Sequence, residues 1–197
     1  MSALSRMHYR MIAPLARLGD DLIIPTLARF LFAAVLFMWF WNSAVTKLGG
    51  GGFGALFTPS FNAFAQIFPK GAEAAGYDIG QATVFQKVVI LAGTWGEFIL
   101  PILIIIGLLT RVAAIGTIIF LVVLSLPALF GHGAVSDPAV LGGWFDGNPG
   151  GVILDQRALW IFLLAVLAVR GAGPLSLDRL IFGRMGSGSR MEDEYAV

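Results

Sequence analysis

VVILAGTWGEFILPILIIIGLLTRVAAIGTIIFLVVLSLPALF, residues 88–130, decides the fold of this chain. It contains two charges, Glu97 and Arg111. A helix crossing the hydrocarbon needs about 20 apolar residues, so the stretch holds two crossings back to back. Arg111 falls where such a helical hairpin turns, and there it reaches water. Glu97 falls near the bilayer midplane and cannot. A charge at that depth costs about 3 kcal/mol on insertion scales, and it normally faces the bundle interior, a partner or a pathway.

The remainder of the chain extends this pattern. The 197 residues are 57% hydrophobic and 13% charged, with a mean hydropathy of +0.84. A soluble domain carries about 25% charged residues, so this composition belongs in a membrane. One apolar run goes from near Pro25, which suits the first turn of a helix, to Leu48, with Gly49 to Gly52 ending it. The next two are Lys87 to Leu109 and Val112 to Phe130, and a fourth runs from Val152 to Val169, closed by Gly171 and Pro174. The expected fold is an all-α membrane protein, a four-transmembrane-helix bundle. Its membrane domain covers 23–181, between an N-terminal segment (1–22) and a flexible Gly/Ser-rich, then acidic, tail (182–197). The first apolar run is too long for a signal peptide and lies behind more than twenty residues of mixed sequence.

Arg6, Arg10, Arg17, Arg29, Arg111, Arg170, Arg179, Arg184 and Arg190 share one side; Lys47, Lys70, Lys87 and Arg157 share the other. Nine against four places both termini in the cytoplasm by the positive-inside rule. In the first outer loop, Phe61, Phe64 and Phe68 recur at helical spacing with Asn62, Gln66 and Lys70 between them, the pattern of a short amphipathic helix at the interface. The second outer loop carries His132, Trp144 and Phe145, and Ser176 opens an interfacial helix at the inner face.

Around Glu97, the residues Gly93, Thr94 and Gly96 let another helix approach closely. Pro101 lacks an N–H, so it frees the Glu97 carbonyl and predicts a kink. On the first helix, Trp39, Asn42 and Thr46 share a face and are candidate partners. Glu97 then reads either as a neutral carboxyl bonded to Asn42 or Trp39 that holds two helices together, or as a proton-handling group. Lys47, Lys87, His132, Asp137, Asp155 and Arg157 gather at the outer end. They read either as an outer vestibule or, in the favoured reading, as snorkelling anchors at helix ends for Lys47, Lys87 and Arg157 and a loop histidine for His132. Arg29 lies about 13 Å below the midplane, within snorkelling reach of the inner headgroups.

The residue types that are missing exclude more. There is no Cys, which removes thiolate and iron–sulfur chemistry. The two histidines, His8 and His132, fall on opposite sides of the membrane, so they form no haem pair and no metal site. A net charge of +1 gives no reason to expect nucleic acid.

Several motifs resemble the DoxX family of small four-helix membrane proteins over approximately residues 23–180. They are Arg29-Phe30, the exit Asn42-Ser43 to Lys47-Leu48, and the run Gly93-Thr94-Trp95-Gly96-Glu97. The run Gly107-Leu108-Leu109-Thr110-Arg111-Val112-Ala113-Ala114 and the closing Gly171-Ala172-Gly173-Pro174-Leu175-Ser176-Leu177-Asp178 complete the set. The resemblance implies a bundle in the bacterial inner membrane. Some relatives are membrane subunits of thiosulfate:quinone oxidoreductase, and others belong to oxidative- or metal-stress systems. The leading expectation is therefore a quinone-linked accessory subunit of a redox or stress-response complex, with no covalently bound cofactor. In it Glu97 moves a proton, Trp39 and Asn42 assist, and Lys47 or Arg157 orients the quinone. The alternative is a non-enzymatic scaffold that binds a protein partner subunit; a solute transporter is a third, weaker reading. Homo-oligomerisation is open in each.

Overall fold

In a computed structural model, the described residues are 18–48, 54 and 56–183. The segment 1–17, the tail beyond Gly183 and the glycines at 49–52 lie outside them. The described residues are helical, without strands, and four helices are long and apolar enough to cross a membrane. These are α1 (Gly19–Lys47), α4 (Val84–Ile106), α5 (Thr110–Gly131) and α7 (Val152–Arg170). Two short helices, α2 (Phe61–Ile67) and α3 (Pro69–Ala74), fill the first long loop. The single turn α6 (Pro138–Leu141) sits in the second, and α8 (Leu177–Phe182) follows α7. All-α architecture with four candidate spans is thus as the apolar periodicity predicted.

The spans close into a ring. α4 packs on α5 and α5 on α7, while α1 lays its first half on α7 and its second half on α4. On α1 the buried residues include Ala28, Phe32, Leu36, Phe40 and Ala44, spaced four apart. An ideal α-helix rotates about 40° too far at each such step. The stretch Phe32–Phe37 is π-helical, and its wider turn absorbs the drift and keeps this stripe on the core. α4 buries Ile90, Thr94, Glu97, Pro101 and Ile104, a strict three–four alternation, so Glu97 lies on the buried stripe. The helix runs unbroken through Pro101.

Small residues admit a close approach, as expected, and the partner is α5. A side chain at Gly96 would meet the Phe120 ring at 3.4 Å, and one at Gly116 would meet Leu100 at 3.1 Å. The buried hydroxyls of Thr94 and Thr117 turn back on the carbonyls of Ile90 and Ala113 in their own helices. That satisfies them without a cross-helix partner. Outside the ring, Phe64, Ala63 and Ala72 pack on Ile90 and form a second, smaller core under α2 and α3. The expected amphipathic helix therefore exists, broken at Phe68 by Pro69 into α2 and α3.

Candidate functional site: a buried ion pair and two arginines

Glu97 is not a lone carboxyl. Nζ of Lys47 donates to both its oxygens, at 2.8 Å to Oε1 and 2.7 Å to Oε2, and Ser43 Oγ donates to Oε1 at 3.1 Å. Lys47 Nζ also donates to Ser43 Oγ at 2.9 Å. The two charged side chains are 2% and 0% exposed, so the cluster is sealed. This corrects three expectations. Lys47 does not snorkel outward but folds back along α1. Asn42 is exposed, so it does not reach the carboxyl. Trp39 is half-buried and packs its ring on Trp160 at 5.2 Å and on Phe40 at 5.1 Å. The face of α1 turned to α4 carries Phe40, Ser43, Ala44 and Lys47, and the π-helical turns upstream set that phase. Ser43, four residues before Lys47 and hence one turn away, is the member that sequence reasoning missed.

The loop above the pair is tied to it. α1 ends at Lys47, whose carbonyl accepts from Ser60 Oγ, and the Thr46 carbonyl accepts from Asn62 Nδ2 at 3.3 Å. Ser60 is also the N-cap of α2, accepting from the Ala63 N–H at 3.1 Å. One hydroxyl thus satisfies orphan groups at the end of one helix and the start of the next. Trp95 Nε1 donates to the Leu56 carbonyl at 2.9 Å and pins the same loop to α4 two residues before Glu97.

The remaining outer-end residues do not converge on a vestibule. Lys87 reaches the Gly80 carbonyl at 3.4 Å, and the His132 ring lies 3.3 Å from the Gln66 carbonyl. Asp137 caps α6 through the Ala139 N–H, and Asp155 accepts from the Gly151 N–H. Arg157 is 7% exposed; its Nη1 donates to Ser125 Oγ.

At the opposite end, Arg29 does not extend to headgroups. Its guanidinium donates to the carbonyls of Ile104 (3.1 Å), Ile105, Ala172 (3.1 Å) and Leu175. Ile104 and Ile105 belong to the last turn of α4, where carbonyls lack the usual i+4 donor; the Ile104 carbonyl also accepts from the Gly107 N–H at 3.2 Å. Beside this, Asp178 accepts from the N–H groups of Leu109 (2.6 Å) and Thr110 (2.9 Å), and its own N–H donates to the Gly107 carbonyl at 2.8 Å. The first turn of α5 is thereby capped from α8, about seventy residues away. Gly107 has φ +70, and a Cβ there would lie 2.6 Å from Ser176 Cβ. The motifs Gly107–Arg111 and Gly173–Asp178, read separately in the sequence, form one knot around Arg29. An open recess of about 1430 Å³ adjoins it, lined among others by Asp21, Arg111, Arg170 and Arg179, with Arg170 paired to Asp20 at 2.8 Å.

Among the described residues, no three His, Asp or Glu side chains gather as a metal set. Comparison of the chain with protein-family models, curated proteins and solved structures yields no match.

Proposed function

We propose that the chain is a DoxX-like, multi-pass protein of the bacterial inner membrane, with both termini cytoplasmic, acting as a non-catalytic scaffold subunit of a redox or stress-response complex. One observation carries this: the intramembrane carboxylate is closed on itself. Its two oxygens accept three hydrogen bonds from Lys47 and Ser43, and the cluster is sealed from solvent. A group so occupied holds α1 to α4, and its one remaining lone-pair site is closed off from a substrate by burial. Arg29 and Asp178 are spent in the same way, on carbonyls and N–H groups of the turns. What remains outward is surface: the α2–α3 cap and the Trp144–Phe145 loop, both suited to a partner subunit.

The test is purification of the native complex in mild detergent, with cross-linking. A stoichiometric protein partner, retained by Glu97→Gln at the level of folded protein, supports the scaffold. A chain that purifies alone with a bound quinone overturns it.

A quinone-linked role is the second reading, and the Trp39–Trp160 contact favours it. Two half-buried indoles 5.2 Å apart between α1 and α7, tilted 59° to each other, offer an aromatic corner, and Arg157 lies one turn before Trp160. Glu97 would then exchange its proton through Lys47. Unchanged quinone content and complex activity in both Glu97→Gln and Trp160→Leu would exclude it.

A further inference from the structure

Among the described residues, Arg157 is the buried charged group that the fold leaves uncompensated. It is 7% exposed, and among the described residues no carboxylate lies within 4 Å of its guanidinium. Its one hydrogen bond runs from Nη1 to the Ser125 hydroxyl, which itself donates to the Leu121 carbonyl at 2.8 Å. Nε is sealed and has no partner. Nη2 has no hydrogen-bond acceptor among the described residues either. Asp155, the nearest acid in sequence, is occupied by the Gly151 N–H at 2.8 Å.

The unpartnered groups are not scattered. Nε–H and the adjacent Nη2–H form the side-on fork of a guanidinium, the edge that matches two oxygens of a carboxylate or phosphate. Arg157 also stands near the start of α7, where the helix dipole is positive and favours an anion over a cation. A buried cation at a positive helix end, with its bidentate edge unfilled, is a site that lacks its counter-charge. Leaving it so is costly. Five residues in from Val152, Arg157 lies about 8 Å inside the end of the span, a little below the headgroup region.

We propose that Arg157, backed by Ser125, binds an oxyanion through its Nε/Nη2 fork at the Lys47 end of α5 and α7, the side chains that close over Nε parting to admit it. The ligand class is a phosphate, carried by a lipid headgroup or free in solution. This site does not depend on the scaffold reading and is separate from the Lys47–Glu97 pair.

The experiment uses the full chain, delipidated in an uncharged detergent. Native mass spectrometry and thermal unfolding are followed with three probes: dioleoylphosphatidylglycerol, dioleoylglycerol with the same chains and no phosphate, and inorganic phosphate. Retention and stabilisation by phosphatidylglycerol, absent with dioleoylglycerol, supports the site and assigns a lipid source. A response to inorganic phosphate supports it with a soluble source. In Arg157→Lys, which keeps the charge and loses the fork, affinity for the responding probe is expected to fall about tenfold. Equal behaviour of wild type toward phosphatidylglycerol and dioleoylglycerol, with no response to phosphate, overturns the proposal. So does an Arg157→Lys variant that binds as wild type. The wild-type comparison decides even where the variant does not fold.

Discussion

Lys47→Met and Glu97→Gln form the most informative pair of substitutions, because the structure fixes what each removes. At 2.7 Å and an effective dielectric of 20, the attraction between the charges is about 6 kcal/mol. Desolvating two ions costs several kcal/mol each, so the intact pair is close to neutral against an apolar replacement. Removing one partner is different. Lys47→Met leaves Glu97 with the Ser43 hydroxyl alone, and Glu97→Gln leaves a sealed ammonium with no counter-charge. Each single change is expected to destabilise by about 3–5 kcal/mol, while Lys47→Met combined with Glu97→Leu returns to within about 1–2 kcal/mol of wild type. The coupling energy is then several kcal/mol. Reversible unfolding in mixed micelles, titrated with sodium dodecyl sulfate and followed by circular dichroism, measures all members of the cycle. Additive losses, with coupling under about 0.5 kcal/mol, would refute the claim that the pair is buried and mutually dependent.

Three further outcomes follow from the knot and the small-residue contact. Arg29→Lys is expected to lose about 2–3 kcal/mol in the same unfolding assay, because an ammonium cannot reach four carbonyls arranged around a planar guanidinium. Asp178→Ala removes two charge-assisted bonds to the first turn of α5 and should cost about 2 kcal/mol, with Asp178→Asn recovering about half. Gly107→Ala combines a positive φ with a 2.6 Å contact to Ser176 and should cost more than Gly93→Ala, whose Cβ would meet Ile67 at an ordinary 3.6 Å; equal losses in the unfolding titration would refute this.

The spans were legible because lipid imposes a length and a composition that little else imitates, and residues 88–130 meet both twice over. The small-residue zone at Gly93 and Gly96 was legible for the same kind of reason: absence of side chain is visible in a sequence. Pairing across helices was not. Whether Lys47 reaches up to water or down to Glu97 depends on where α1 stops relative to α4, and that is set by the loop that Ser60 and Trp95 hold. The phase of α1 was hidden too, since a helical wheel assumes 3.6 residues per turn and the π-helical stretch at Phe32–Phe37 departs from it. Asn42 is a candidate in the sequence because it is polar and shares a face with Trp39 and Thr46, and that face is not the one turned to Glu97. Arg29 was misplaced because snorkelling considers only headgroups as acceptors, whereas the last carbonyls of α4 were nearer. Ser43 offered a signal in hindsight: a hydroxyl one turn before the only basic residue at the end of that span.

The fifty residues between Lys47 and Glu97 also set an order of events during synthesis. At translation rates of about 5–20 residues per second, Lys47 is synthesised roughly 3–10 s before Glu97. Through that interval α1 has an ammonium and no carboxylate, and an ammonium near the end of a helix can wait among headgroups. Glu97, deep within α4, has no such refuge. The arrangement therefore stations the mobile charge first and brings the immobile one to it, so that α4 enters the bilayer with its counter-ion already in place. Reversing the two residues would demand that a deep ammonium in α1 wait, without a partner, for a carboxylate still to be made.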